Sequence, residues 1–228
     1  MSAEHKIRNI KNLTKSSALM AVATFISRVL GLVRETAMAA TFGASGLTDA
    51  FTVAYRVPNM LRDLFAEGAF SSAFVPIFTE QRLKDPLAAR RLLWSLFILL
   101  GTITTLISII IIFTAPFIAD FLTAESFLGD FQRMQITVTM IKVMAPFLVF
   151  ISLSALFMGA LNSLKFFFVP SLAPAFFNVV MILSIWFLPD YLKSKDVHEI
   201  MSLACGVIVG GFVQMLVQVP LIFKVAYG

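Results

Sequence analysis

Long apolar runs alternate with short polar stretches along the chain. A bilayer core about 30 Å thick needs roughly 20 residues of helix to cross it, and six runs reach that length. They cover residues 16–42, 47–79, 92–119, 134–164, 166–189 and 200–223. The third run contains no charged residue, and the sixth has only Gln214 and Gln218 as larger polar groups. The pattern predicts an all-α fold, a polytopic membrane helix bundle with six transmembrane helices over residues 16–228, preceded by a polar segment, residues 1–15.

The composition fits a chain whose main solvent is lipid. Hydrophobic residues make up 59% of the 228 residues, and only 14% are charged. The net charge of +5 does not indicate a nucleic-acid partner, because the basic residues form short clusters between apolar runs rather than a stripe. Cys205 is the single cysteine, and His5 and His198 are far apart in the sequence. We therefore expect no disulfide, metal site, catalytic residue or cofactor, and no enzyme activity.

The basic residues between the runs predict the orientation of the helices. With a cytoplasmic N-terminus, ten of them lie in inside segments and only Arg133, Lys193 and Lys195 lie outside. Short cytoplasmic loops are enriched in Lys and Arg. This bias predicts that residues 1–15 are cytoplasmic and that six crossings return residue 228 to the same side. Because the chain stops there without a polar tail, we expect it to be a fragment.

Several charged residues fall inside the predicted spans. The basic ones are Arg28, Arg34, Arg56, Arg62 and Lys142, and the acidic ones include Glu35, Asp63 and Glu67. An arginine at the bilayer centre costs about 2.5–3.5 kcal/mol on insertion scales. These groups are therefore expected to face a water-filled cavity, a counter-ion, or both.

Helical geometry separates the charges of the first span. Residues seven apart return to nearly the same face, so Arg28 and Glu35 share a face while Arg34 is turned well away from Arg28. Glu35 can hold a cavity arginine until an anion competes for it, which would make it a gate. A permanent Glu35–arginine pair that only lowers the burial cost is the alternative.

The second span carries a stripe of charges and a proline. The stripe consists of Asp49, Arg56, Asp63 and Glu67, with Arg62 beside it. Arg56, Asp63 and Glu67 are interpreted as ion pairs that make one another tolerable between helices. Pro58 has no backbone N–H to donate and is followed by Asn59. We therefore predict a kink or hinge of the helix at these two residues.

Arginines outnumber the acids placed to neutralise them, and this surplus predicts an anionic ligand for Arg28, Arg34 and Arg62. A guanidinium is planar, always charged, and able to donate two parallel hydrogen bonds to one phosphate. A diphosphate is a natural fit. Lys142 either supports this site from behind or extends to an interface.

Five motifs of the first two spans resemble the MurJ/MviN family of lipid II flippases, within the multidrug/oligosaccharidyl-lipid/polysaccharide exporter superfamily. They are residues 25–35 (FISRVLGLVRE), 48–51 (TDAF), 58–62 (PNMLR), 65–71 (FAEGAFS) and 73–76 (AFVP). The resemblance implies a two-lobed transporter in the bacterial cytoplasmic membrane, with this chain as its N-terminal lobe and the C-terminal lobe as its missing partner. Its substrate would be lipid II, the undecaprenyl-diphosphate-linked peptidoglycan precursor, moved from the inner to the outer leaflet by alternating access.

The resemblance also implies roles for single residues. Arg28, Arg34 and Arg62 are similar to the cavity arginines that engage the substrate, Asp49 to an acid near the outer mouth, and Glu67 to a gating or lobe-contact acid. Two positions depart from the family pattern. Glu35 stands where an aspartate is usual, and Asp63 stands where a second basic residue is common.

Three other functions are compatible with a membrane bundle. A cation-coupled multidrug exporter of the same superfamily usually needs acids for its cationic substrate or ion, whereas this sequence predicts an arginine-rich cavity. An enzyme acting on lipid-linked sugars needs a catalytic constellation, and Asp120, Glu125 and Asp130 are interpreted as ordinary loop acids. A non-transporting scaffold of cell-wall synthesis has little reason to bury arginines.

Overall fold

The computed structural model describes residues 3–43, 46–62, 69–123 and 130–227, with side-chain surroundings described outside 3–17, 61–62, 69–72 and 225–227. Helices are the regular elements of these ranges. They are α1 (Ala3–Phe42), α2 (Gly46–Arg62), α3 (Ala69–Lys84), α4 (Pro86–Leu122), α5 (Phe131–Met144), α6 (Phe147–Ser163), α7 (Phe168–Lys193), α8 (Met201–Leu216) and α9 (Val219–Tyr227).

The all-α membrane fold predicted from the sequence is confirmed. Four helical units in the described part of the chain are long and apolar enough to cross a bilayer: Pro86–Leu122, Phe131–Ser163, Phe168–Lys193 and Met201–Lys224. They correspond to the last four predicted spans. The first predicted span lies within α1, and the second covers α2 and most of α3, on either side of residues 63–68. The division into six membrane crossings stays a prediction.

Capping and proline residues set several helix boundaries. The Asp85 carboxylate accepts hydrogen bonds from Leu87 N (2.9 Å) and Ala88 N (3.2 Å), with Pro86 as the first residue of α4. Such a cap satisfies amide groups that have no partner within the helix. Pro146 separates α5 from α6 within the fourth predicted span. Ser108 Oγ of α4 donates to Ala145 O at 2.8 Å, so a side chain of α4 satisfies a backbone carbonyl at this break.

Close contacts between α6, α7 and α8 form the centre of the bundle. A Cβ atom added at Gly210 would lie 2.8 Å from Phe177 Cδ2, and one at Gly211 would lie 2.5 Å from Phe147 Cδ2. Small residues let membrane helices approach this closely. The main core cluster includes Phe147 and Phe177, so the aromatic side chains fill the space beside these glycines.

The lipid-facing surface is clearest on α4. Phe113, Phe117 and Phe121 lie one helical turn apart on one face and are largely exposed. A row of exposed phenylalanines is favourable in hydrocarbon and unfavourable in water. By contrast, α1 packs mainly against α7.

Candidate functional site

A cavity of about 450 Å³ lies between α1, α2, α6, α7 and the junction of α8 with α9. Arg28 and Arg34 line it from α1, Phe177 and Asn178 from α7, and Gln218 from the junction. The described residues around it include no aspartate or glutamate. The cavity therefore combines two permanent positive charges with uncharged polar and apolar walls.

Arg34 is held by three neighbours. Its Nη1 donates to Asn178 Oδ1 at 3.1 Å, its Nη2 is paired with the Glu35 carboxylate, and its guanidinium carbon lies 6.0 Å from the centre of the Phe177 ring. Asn178 is only 6% exposed, and its Nδ2 donates to Ser27 O at 3.1 Å. One buried amide thus positions the arginine and joins α1 to α7.

Arg28 lines the same cavity as Arg34, although the helical angles placed the two on different faces. The separation on the helix that the sequence predicts for Arg28 and Arg34 therefore does not place them at different sites. Asn178 bonds both to Ser27 O, next to Arg28, and to the Arg34 guanidinium. Arg34 therefore reaches back along α1 toward Arg28. Arg28 is exposed and makes no hydrogen bond or ion pair with any residue that the structure describes.

Glu35 faces a second, smaller cavity of about 160 Å³ that it shares with Arg34 and Tyr55. Its side chain is 53% exposed, and it contacts Arg34 of its own helix. The carboxylate is thus close enough to hold a cavity arginine. That arginine is the adjacent Arg34 and not Arg28, which lies seven residues away. Whether this pair opens when a ligand binds stays a prediction.

Asp49 is joined to a residue that sequence reasoning assigned to an outer loop. Arg133 lies in the first turn of α5, where its Nη2 is 3.6 Å from Asp49 Oδ2 and its Nε donates to Gly46 O at 2.8 Å. A Cβ atom at position 46 would overlap this guanidinium, so a larger residue there would displace the end of the Arg133 side chain. Asp130 could have indicated from the sequence that a helix begins before Arg133. It caps the N-terminus of α5 by accepting a hydrogen bond from Arg133 N at 2.9 Å.

The remaining predicted site residues lie apart from the cavity or outside the described residues. Arg56 is exposed on α2, and Lys142 is exposed on α5. Arg62 ends α2, but its side chain is outside the described part, as are Asp63 and Glu67. Neither Arg56 nor Lys142 lines the 450 Å³ cavity.

Pro58 lies inside α2, which continues to Arg62. The predicted hinge at Pro58 and Asn59 therefore does not end the helix, and a motion at this point stays a prediction. Pro58 is buried, while Asn59 is half-buried.

A family model described as lipid II flippase MurJ matches residues 38–227. The chain belongs to this family. The match covers more than half of the chain. It includes the whole of α2, α6, α7, α8 and α9, which surround the cavity together with α1. The family assignment that the motifs of the first two spans suggested is confirmed.

Proteins with the family's name are similar over almost the whole chain. The lipid II flippase MurJ of Burkholderia cenocepacia is 42% identical over 217 residues, covering 94% of this chain and 41% of the relative. The probable lipid II flippase MurJ of Buchnera aphidicola subsp. Baizongia pistaciae is 38% identical over 211 residues, covering 92% and 40%. A solved structure of lipid II flippase MurJ in an inward closed conformation superposes with a TM-score of 0.72 at 29% identity, covering 91% of this chain and 42% of the other. The chain thus spans about two fifths of the length of the family members it matches.

Sequence reasoning did not single out the uncharged polar residues of the cavity. Asn178 lies in an apolar run and gave no periodic signal, because its partners are Ser27 and Arg34 on a distant part of the chain. Gln214 and Gln218 were visible as the larger polar groups of the last span. Their spacing of four residues places them on one face of a helix, which is the signal that could have marked them as cavity residues.

Proposed function

We propose that this chain is the N-terminal lobe of a lipid II flippase, which moves the undecaprenyl-diphosphate-linked precursor from the inner to the outer leaflet of the bacterial cytoplasmic membrane. The observation that carries the proposal is the cavity lined by Arg28 and Arg34, with no acid among its described lining residues. Arg62 is proposed as a third arginine of the same site.

The charge of the cavity favours an anionic substrate. Two guanidinium groups in a partly desolvated space attract a polyanion, and a diphosphate can accept bidentate hydrogen bonds from each. Arg28 has no hydrogen-bond or ion-pair partner in the described part of the chain, whereas two of the nitrogens of Arg34 are occupied by Asn178 and Glu35. We propose that Arg28 makes the first contact and that Arg34 changes partners when the diphosphate enters.

The same geometry argues against two other functions, a cation-coupled multidrug exporter and a non-transporting scaffold. A cation-coupled exporter needs acids that hold a cationic substrate or ion, whereas Glu35, which borders the neighbouring smaller cavity, is paired with Arg34. A scaffold has no need for a cavity of about 450 Å³ with arginines in its wall. Both functions therefore fit the charge distribution less well than transport of an anion.

The proposed lobe has both ends on the cytoplasmic side and acts with a second lobe. The chain covers 40–42% of the matched family members, which leaves room for another bundle of similar size. Transport by alternating access requires the cavity to open to each side in turn. We therefore assign substrate binding to this lobe and the complete transport cycle to the two lobes together.

Native mass spectrometry of the full-length transporter, purified from its membrane, tests this function. We expect co-purified undecaprenyl-diphosphate lipid with the wild-type protein and its loss in the double variant Arg28→Ala/Arg34→Ala. Lys142→Ala is the matched control, because it removes an exposed positive charge that does not line the cavity. Retention of the lipid by the double variant, or equal loss in the control, would refute the assignment.

A further inference from the structure

The smaller cavity, of about 160 Å³, adjoins the arginine cavity along α1. Three residues line both cavities: Arg34, Tyr55 and Phe177. On α1 the larger cavity reaches back to Ser27, whereas the smaller one reaches forward to Met38. The two cavities are therefore neighbours with a shared wall, and that wall contains the arginine that we propose to change partners when the diphosphate enters.

The two cavities differ in the charge of their described lining residues. The larger cavity has two arginines and no acid, whereas the smaller one has Arg34 and Glu35, one residue of each sign. The other walls of the smaller cavity are aromatic rings and methionine side chains, together with the hydroxyl groups of Thr52 and Tyr55. Balanced charge, apolar walls and a few polar groups suit an uncharged polar ligand rather than a second anion.

Two side chains of the smaller cavity offer hydrogen-bond acceptors that a ligand can reach. Thr52 is exposed, and its Oγ1 donates to Thr48 O at 2.9 Å, which leaves the lone pairs of this oxygen to accept. The Glu35 side chain is 53% exposed. When the diphosphate takes Arg34, the Glu35 carboxylate loses that partner and can accept from another donor. Both positions therefore suit a group that carries hydroxyl or amide N–H donors.

We propose that the smaller cavity binds the first sugar of the substrate, with Thr52 and Glu35 accepting from its hydroxyl or acetamido N–H groups. This inference rests on the proposed function and adds a saccharide subsite to it. The first sugar is bonded directly to the diphosphate, and the smaller cavity adjoins the diphosphate cavity at Arg34. The order of the two cavities thus matches the order of the two groups in the substrate. Thr52 is a specificity-determining residue, because undecaprenyl diphosphate without a sugar has no donor for it.

The test compares three lipids on the full-length transporter in nanodiscs, with binding measured by native mass spectrometry. The lipids are undecaprenyl diphosphate, the same carrier bearing one N-acetylhexosamine, and lipid II. Thr52→Val removes the acceptor and is expected to weaken binding of both sugar-bearing lipids by about three- to tenfold, as for loss of one hydrogen bond. Binding of undecaprenyl diphosphate is expected to change by less than about twofold. Thr52→Ser keeps the hydroxyl, so its affinities for the three lipids should stay in the wild-type ratio.

Thr36→Val is the matched control. Thr36 is also exposed and its Oγ1 also donates to the carbonyl oxygen four residues earlier at 2.9 Å, but it lines neither cavity. The proposal is overturned if Thr36→Val reproduces the selective loss, or if Thr52→Val affects all lipids equally, none of them, or lipid II alone. Thr52→Ala replaces the valine variant if that fails to fold. A wild-type protein that binds none of the three lipids would instead refute the proposed function, and this inference with it.

Discussion

At the scale of single residues, Asn178 explains how an arginine stays in place inside a membrane protein. Its Oδ1 accepts from Arg34 and its Nδ2 donates to Ser27 O, so both ends of one side-chain amide are used. A hydrogen bond to a charged group stabilises by about 1.5–3 kcal/mol. Gly31 faces the same amide, with its added Cβ 3.6 Å from Asn178 Nδ2. The position of the Arg34 guanidinium is therefore set by α7 as well as by its own helix.

Replacing Asn178 should separate the orientation of Arg34 from its charge. We expect Asn178→Leu to weaken binding of lipid II to the full-length transporter by about three- to tenfold, because Arg34 keeps its charge and loses the hydrogen bond that orients it. Thermal stability should fall as well, since Ser27 O loses a partner. Asn162→Leu on α6 is the control, because Asn162 does not line the cavity. Unchanged affinity in Asn178→Leu would show that Arg34 needs no support from α7.

At the scale of helices, Arg133 joins the start of α5 to the start of α2. The guanidinium donates to Gly46 O and also pairs with Asp49. The two contacts differ in value, because the Arg133 side chain is 20% exposed whereas that of Asp49 is 69% exposed. Exposed ion pairs contribute about 0–1 kcal/mol. The bond to the glycine carbonyl is therefore the stronger part of this connection.

We expect Arg133→Gln to lower the free energy of unfolding of the full-length transporter by about 1–2 kcal/mol. Asp49→Asn should lower it by less than about 1 kcal/mol. Thermal unfolding in detergent measures both, and a double variant shows how far the two effects are coupled. A larger effect for Asp49→Asn than for Arg133→Gln would mean that the ion pair, not the carbonyl contact, holds the helices together.

At the scale of the whole molecule, the pair between Arg34 and Glu35 can couple binding to a change of conformation. A ligand shifts a conformational equilibrium only through contacts that differ between the two states. A diphosphate that takes Arg34 from Glu35 would supply such a difference. Glu35 also borders the smaller cavity with Tyr55 of α2, so separation of the Arg34–Glu35 pair would change the contacts of both α1 and α2.

Glu35→Gln tests whether the pair is a gate or a permanent contact. As a gate, the variant should change the proportions of inward-facing and outward-facing transporter, measured by spin-label distances with and without lipid II. Glu80→Gln is the control, since Glu80 forms a similar exposed pair with Lys84 away from the cavity. If distances and transport rate stay at wild-type values and only thermal stability falls, the pair is structural.

The sequence by itself determined the all-α membrane fold and the family, because both depend on local patterns. The length of an apolar run reports a membrane crossing, and motifs such as residues 25–35 lie within a single helix. It also identified Arg28 and Arg34, since charge inside an apolar run is visible without any structure. Only the tertiary structure decided which groups these arginines meet. Arg34 and its partner Asn178 are 144 positions apart, and Gln218 and Ser154 are 64 apart. Helical periodicity relates residues within a few turns of one another, whereas such pairs depend on which helices pack side by side.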